Sequence, residues 1–336
     1  MDTASLELGS HIGLIGDVHG NRRFLEAAIV SLVDRGATSL VQLGDWGMIW
    51  TPVASGREKE RRGLELTNEL LGLVDLDLLV VLGNHENYNQ IDAIEPDNDG
   101  IRRIGRICLL PRSGQATAAG RHVGWLAGAG SIDRGARRAG MSWWPAEIPS
   151  DDEAAALGAG ATIEVLFAHD ALSTVALDER LAHSRDRWYA PDVDYAERTR
   201  HEFTARALQA LADNGIVVSG HYHFRFSATE RLLRPDGEPV LARSEILAYE
   251  WTGESVGLLD TVDLTLETWG LGQRDGRERT RELLRLLRAT RAISRDRDSA
   301  RELVASLPER TWSRLASGHV AVPTSLLQQL RDEVGT

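Results

Sequence analysis

Near the start of the chain, three apolar runs each end at a glycine followed by an acid or an amide. Leu14-Ile15 leads into Gly16-Asp17, Gln42-Leu43 into Gly44-Asp45, and Val81-Leu82 into Gly83-Asn84. Between the runs, apolar residues recur at helical spacing, as in Phe24, Leu25, Ala28, Ile29 and Leu32. The pattern predicts strands over 12–16, 39–43 and 76–82, with helices over 22–33 and 58–71 between them. Strand and helix alternating in this way build a parallel sheet. In such sheets, ligand-binding groups collect just past the carboxyl ends of the strands. Three dipeptides far apart in sequence are thereby expected to converge in space.

The rest of the chain reads differently. Strands are expected over 106–110, 123–127 and 162–168, a helix over 198–213, then strands over 216–219, 224–228, 240–247 and 256–266. Two more polar blocks sit behind apolar runs here, Ala168-His169-Asp170 and Gly220-His221-Tyr222-His223. The preferred architecture is α/β, a two-sheet αββα sandwich over residues 1–272. From Gln273 the composition shifts, the last 64 residues carrying 13 arginines against 9 acidic residues. Leu283, Leu284, Leu286 and Leu287 line one side of an amphipathic stretch, so residues 273–336 are expected to form a helical C-terminal extension. A faint helix-turn-helix spacing around Ser313–Gly318 is too short to carry a DNA-binding assignment.

The net charge of −12 argues against a general nucleic-acid binder, because a phosphate backbone would be repelled by most of the surface. Cys108 is the sole cysteine, which excludes an intrachain disulfide and fits a reducing compartment. The N-terminal ten residues lack the charged start and long apolar stretch of a signal peptide. No apolar run approaches the ~20 residues that span a bilayer. A cytoplasmic protein without a membrane partner is expected; its oligomeric state is not legible.

Five of the ten histidines fall inside the polar blocks. First-row divalent cations need several imidazole and carboxylate donors from a compact region. Asp17 and His19, two apart on a tight turn flanked by Gly16 and Gly20, can reach one ion. His221 and His223 have the same spacing and can serve different ions. Asp45 has two oxygens with which to bridge a pair, and Asn84 adds a neutral carbonyl oxygen.

These blocks, D-x-H, G-D, G-N-H-E, a histidine after a strand, and G-H-x-H, resemble those of the calcineurin-like metallophosphoesterase superfamily. They stand in family order from about Ile12 to Phe224. The flanking residues are similar to a small prokaryotic subgroup: Gly83 to Tyr88 reads Gly-Asn-His-Glu-Asn-Tyr, Ser131 to Arg134 reads Ser-x-Asp-Arg, and Ser142 to Glu147 reads Ser-Trp-Trp-Pro-x-Glu. The resemblance implies that Asp17, His19, Asp45 and His223 hold one metal ion, and Asp45, Asn84, His169 and His221 a second. The ions would be manganese, iron or zinc, divalent or of mixed valence. His85 would act on the leaving group without binding metal, and a hydroxide between the ions would attack phosphorus. The expected activity is hydrolysis of a small phosphomonoester or phosphodiester, such as a nucleotide. Two departures are visible: Trp46-Gly47-Met48 replaces the longer second block of the protein phosphatases, and Ala168 replaces the usual threonine or glycine.

Other readings stay open. A nuclease could use the basic tail to hold a strand, and a non-catalytic scaffold could keep the fold; nucleic acid is the less favoured partner. Arg134 either clamps a substrate phosphate or pairs with Asp133 at the surface. Trp143 and Trp144 either wall a pocket or pack under a loop, the second being favoured. Glu86 and Asp170 either bond an imidazole of the site or face solvent. Specificity is expected to come mainly from residues 88–164.

Overall fold

The computed structural model of the protein describes residues 6–273. The expected extension lies, beyond its first residue, outside the described residues. Fourteen strands form two seven-stranded sheets. The first runs β14 (Thr265–Trp269), β13 (Val256–Asp260), β2 (His11–Ile15), β3 (Ser39–Gln42), β4 (Leu78–Val80), β6 (Ile107–Leu109) and β5 (Arg102–Ile104). The second runs β1 (Glu7–Leu8), β7 (Ser113–Ala118), β8 (Arg121–Leu126), β9 (Ile163–Ala168), β10 (Leu211–Ser219), β12 (Pro239–Ile246) and β11 (Phe226–Leu233). Both have a parallel centre, β2-β3-β4-β6 in one and β8-β9-β10-β12 in the other. The helices are α1 (Arg22–Asp34), α2 (Glu58–Val74), α3 (Tyr88–Asp92), α4 (Asp151–Ala155), α5 (Val175–Ala182) and α6 (Ala190–Ala210). This is the expected two-sheet α/β sandwich.

Strand alternation builds the layers. On β9, Val165 and Phe167 enter the large core that also holds Leu14, Leu40 and Val80 of the other sheet, whereas Leu166 and Ala168 join Phe203, Ala207 and Leu208 of α6. On β10, Ile216 and Val218 likewise face the large core and Val217 faces α6. Strands covered on both faces read as unbroken apolar runs, which makes them legible without a period-2 signal. α1 starts at Asn21, whose side chain accepts the Phe24 N–H, and packs against β2.

Several boundaries move. The helix expected over 198–213 runs instead from Ala190 to Ala210. Pro191 in its first turn marks the true start, and pairing of Leu211 with Ile163 of β9 converts the expected last turn to strand. The single strand expected over 256–266 is an antiparallel hairpin, β13 and β14. Its apolar residues hide a turn in which Asp260 accepts the Val262 N–H and Leu264 is left-handed. Strands β1, β5 and β7 and helices α3, α4 and α5 are additions to the expected elements.

The consequence for chemistry lies at the carboxyl ends. β2 leads into Asp17, β3 into Asp45 and β4 into Asn84, all from one sheet. β9 leads into His169 and β10 into His221, from the other. The two sets meet at the carboxyl ends of these interior strands. No helix among the described residues is long and apolar enough to cross a membrane.

Leu14, fully buried on the central strand β2, reports on this core. Leu14→Ala should destabilise the protein by about 2–5 kcal/mol, read from the midpoint of urea unfolding at unchanged slope.

Candidate metal centre

Two clusters of donor atoms form at these strand ends. Asp17, His19, Asp45 and His223 each offer an atom within 4.8 Å of the others, and so do Asp45, His169 and His221. Asn84 joins the second through its Oδ1, 2.9 Å from His169 Nε2. The seven residues singled out as metal ligands thus share one place, with Asp45 common to both clusters. His85 borders them, its ring centroid 5.2 Å from that of His19.

The backbone that places them is unusual. His19, Asp45, His221 and His223 all have positive φ, between 46° and 69°. Only nine non-glycine residues among those described do so, and four are here. Such conformations cost about 1–3 kcal/mol each and persist where the surroundings over-determine them. Those surroundings are reciprocal. The His221 N–H donates to both oxygens of Asp17 at 3.0 and 3.1 Å, and the His85 N–H donates to Asp45 Oδ1 at 2.7 Å. The glycines before these residues allow the approach: a Cβ on Gly220 would overlap the Asp17 carboxylate, and one on Gly83 would overlap Asp45.

Glu86 and Asp170 follow neither expectation. Both are buried, and neither bonds an imidazole. Glu86 accepts the N–H groups of Trp46 and Gly47 at 2.7 and 3.1 Å, pinning the loop that carries Asp45. Burial, reinforced by the charge on Asp45, pushes its pKa up to about 7. Asp170 accepts the Tyr222 hydroxyl at 2.6 Å.

The electrostatics favour a cation. Asp17, Asp45 and His169 are fully buried or nearly so. Asp45 Oδ2 has no hydrogen-bond partner; the Nε2 atoms of His19 and His85 lie 4.0 Å away. A buried carboxylate oxygen left so is costly unless positive charge reaches it. His169 Nδ1 lies 2.8 Å from the Leu43 carbonyl, which can only accept, so Nδ1 carries the proton and Nε2 faces Asp45 Oδ1 and Asn84 Oδ1. Burial opposes charge on His169, but Asp45 outweighs it and pushes the pKa up to about 10. The same negative charge on Asp45 would favour a cation there. Burial, aided by His169, holds His221 well below its ordinary pKa, leaving a neutral imidazole with a free lone pair. Carboxylate oxygens, imidazole nitrogens and one amide oxygen form a donor set that fits first-row divalent cations.

Sequence reasoning passes over three supports. Asn84 Nδ2 donates to Ser131 Oγ at 2.9 Å, which aims Oδ1 at the cluster. Ser131 in turn donates to the buried Glu147 through both its hydroxyl and its N–H, and Tyr195 donates a third bond at 2.8 Å. The Ser-x-Asp-Arg and Ser-Trp-Trp-Pro-x-Glu stretches therefore meet as one scaffold behind Asn84. Tyr249 stacks on the His223 ring at 4.7 Å. Arg137, 9% exposed, reaches His85 while paired with Asp133 at 2.8 Å. Arg134 is elsewhere: it pairs with Asp192 at 3.3 Å, lies over the Tyr195 ring, and does not line the cavity beside the cluster. Trp144 is buried in the core, and neither tryptophan of that pair lines the cavity.

That cavity, about 440 Å³, is bounded by Asp45, Asn84, His85, His221 and His223 on one side. Only Ile132 and Asp133 come from the segment expected to set specificity, residues 88–164; most of the remaining lining comes from residues 181–200 and 221–224.

No protein-family model and no curated protein matches the chain. Among solved structures it is similar to TT1561 of Thermus thermophilus, at 13% identity and a TM-score of 0.40 over 78% of this chain and 98% of that one. It is also similar to the sulfate thiohydrolase SoxB of Thermus thermophilus in complex with glycerol (17%, 0.36, 84% and 48%) and to the 5′-nucleotidase of Candida albicans (12%, 0.39, 98% and 60%). The chain spans about half of the SoxB chain and three-fifths of the nucleotidase. The chemistry of this site therefore rests on its own residues.

Ser131→Ala should free the Asn84 amide to rotate. Manganese affinity should fall by about 10- to 100-fold in a metal titration; unchanged affinity would separate the scaffold from the site.

Proposed function

We propose that this chain is a calcineurin-like metallophosphoesterase that hydrolyses a phosphate ester with two metal ions. Asp45 carries the reading: one buried carboxylate belongs to both donor clusters and keeps an oxygen that no protein group satisfies. The five motif blocks in family order support it. Asp17, His19 and His223 would hold one cation, Asn84, His169 and His221 the other, and Asp45 both. When bound, the cations supply Lewis acidity, activating water and neutralising charge on the phosphoryl oxygens.

The remaining work falls to the protein. Burial of Asp17, Asp45 and His169 excludes bulk water behind the phosphate. His85 sits at the opening, with its side chain about one-third exposed. Burial, reinforced by Arg137, holds its pKa below the ordinary value, so the ring is neutral and its N–H can donate to the departing oxygen. Arg137, a permanent cation already oriented by Asp133, holds that ring in place and adds positive charge toward the phosphate.

The test is a panel of phosphomonoesters, phosphodiesters, cyclic nucleotides and nucleic acids with manganese supplied. Turnover of at least one is expected, and an inert, metal-loaded protein would leave a scaffold as the better reading. His85→Ala should retain its metal while turnover falls by about 10²- to 10⁴-fold; metal loss would contradict the role given to His85. Asp45→Asn should weaken both ions together by elemental analysis, and loss of just one would refute the bridge.

A further inference from the structure

Resting on the phosphoesterase reading, the cavity beside the cluster indicates what the rest of the substrate is. Beyond the donor residues, its lining includes the apolar and aromatic side chains of Leu181, Trp188, Val193, Tyr222 and Phe224. Most of the charged groups among them are already engaged. Arg185 pairs with Glu197 and with Asp194, Arg200 with Asp178 at 2.6 Å, and Asp133 with Arg137. The exposed Arg187 has no ion pair among the described residues, so the rim offers one positive charge.

The aromatic residues present ring surface rather than polar tips. The Tyr222 hydroxyl is bound to Asp170, so what it offers the cavity is its ring. Phe224 has the Arg180 guanidinium against it at 3.9 Å, which fixes the ring's position. Trp188, on the segment between α5 and α6, is 45% exposed although it lines the cavity. An exposed tryptophan that shares its cavity with two other aromatic rings is a surface that gains free energy by covering, and a flat apolar ring covers it best. A volume of about 440 Å³ is in the range of small-molecule sites.

We propose that this cavity binds the organic half of the ester and selects an aromatic ring system, so that the substrate class is a phosphate ester of a ring-bearing alcohol. In the reaction, the phosphorus–oxygen bond to that alcohol breaks and a water oxygen bonds to phosphorus. One water proton ends on the alcohol oxygen, and the remaining phosphate leaves separately.

The experiment compares 2-naphthylmethyl phosphate with glycerol phosphate, and the methyl diester of each, on the manganese-loaded protein. Both alcohols are primary and of similar basicity, so the ratio of kcat/KM reports recognition of the ring rather than leaving-group quality. A preference of about 10- to 100-fold for the naphthyl ester is expected from burial of one ring. Trp188→Ala should lower that ratio at least about fivefold, chiefly through KM, with metal content and far-ultraviolet circular dichroism unchanged. Leu181→Gln, at a second wall position, should move the ratio the same way. Equal turnover of the naphthyl and glycerol esters would overturn the ring subsite and leave the phosphoesterase reading standing. No turnover of any of the four by metal-loaded protein would overturn the ring subsite, and only failure across the whole ester panel as well would overturn the phosphoesterase reading.

Discussion

Two carboxylates, Asp17 and Asp45, lie fully buried at the seam between the sheets, and the rest of the structure is organised around supplying them with positive charge. Removing a carboxylate from water is tolerable only where hydrogen bonds and counter-charges replace the lost hydration. Backbone N–H groups of His221 and His85 supply part of this, and the imidazoles of His169, 3.1 Å from Asp45, and His223, 3.3 Å from Asp17, supply more. Yet Asp45 Oδ2 is left without a donor. A site tuned only for stability would have satisfied that oxygen or replaced the acid. Its place among imidazole nitrogens fits a cation.

That arrangement holds because each loop is clamped by another. The Asp45 loop is pinned by Glu86 from the following block, Asp17 by the His221 amide from the other sheet, and Asn84 by Ser131 and Glu147 from the middle of the chain. The four left-handed ligand positions are the local cost of aiming side chains inward at strand ends, and the reciprocal hydrogen bonds offset it. The same interlocking makes the centre a property of both sheets together, so a disturbance in either should reach all the donors.

Much of this is legible in the sequence. The apolar runs of β2, β3, β4, β9 and β10 are visible because both faces of each strand are covered, and the polar blocks behind them name every donor. Less visible are elements whose identity depends on partners. The Leu211 turn reads as helix alone but pairs with β9, and the 261–264 turn is apolar enough to pass for strand. Arg134 and Arg137 sit three residues apart in the same arginine-rich stretch, and only packing against Asp192 and Asp133 separates them. The supports Ser131 and Glu147 stand in stretches that the resemblance marks without giving a reason; their reason is a contact across 47 positions from Asn84 to Ser131.

The sequence by itself determined the layer architecture and the donor set, because covalent order places a given residue at a given strand end and hydrophobic periodicity says where strands end. Tertiary structure alone decided which oxygen goes unsatisfied, which arginine reaches His85, and that the cavity wall comes from residues 181–200 rather than 88–164. Those outcomes depend on distances between segments remote in the chain, and such distances are set by how two sheets pack rather than by any local pattern of residues.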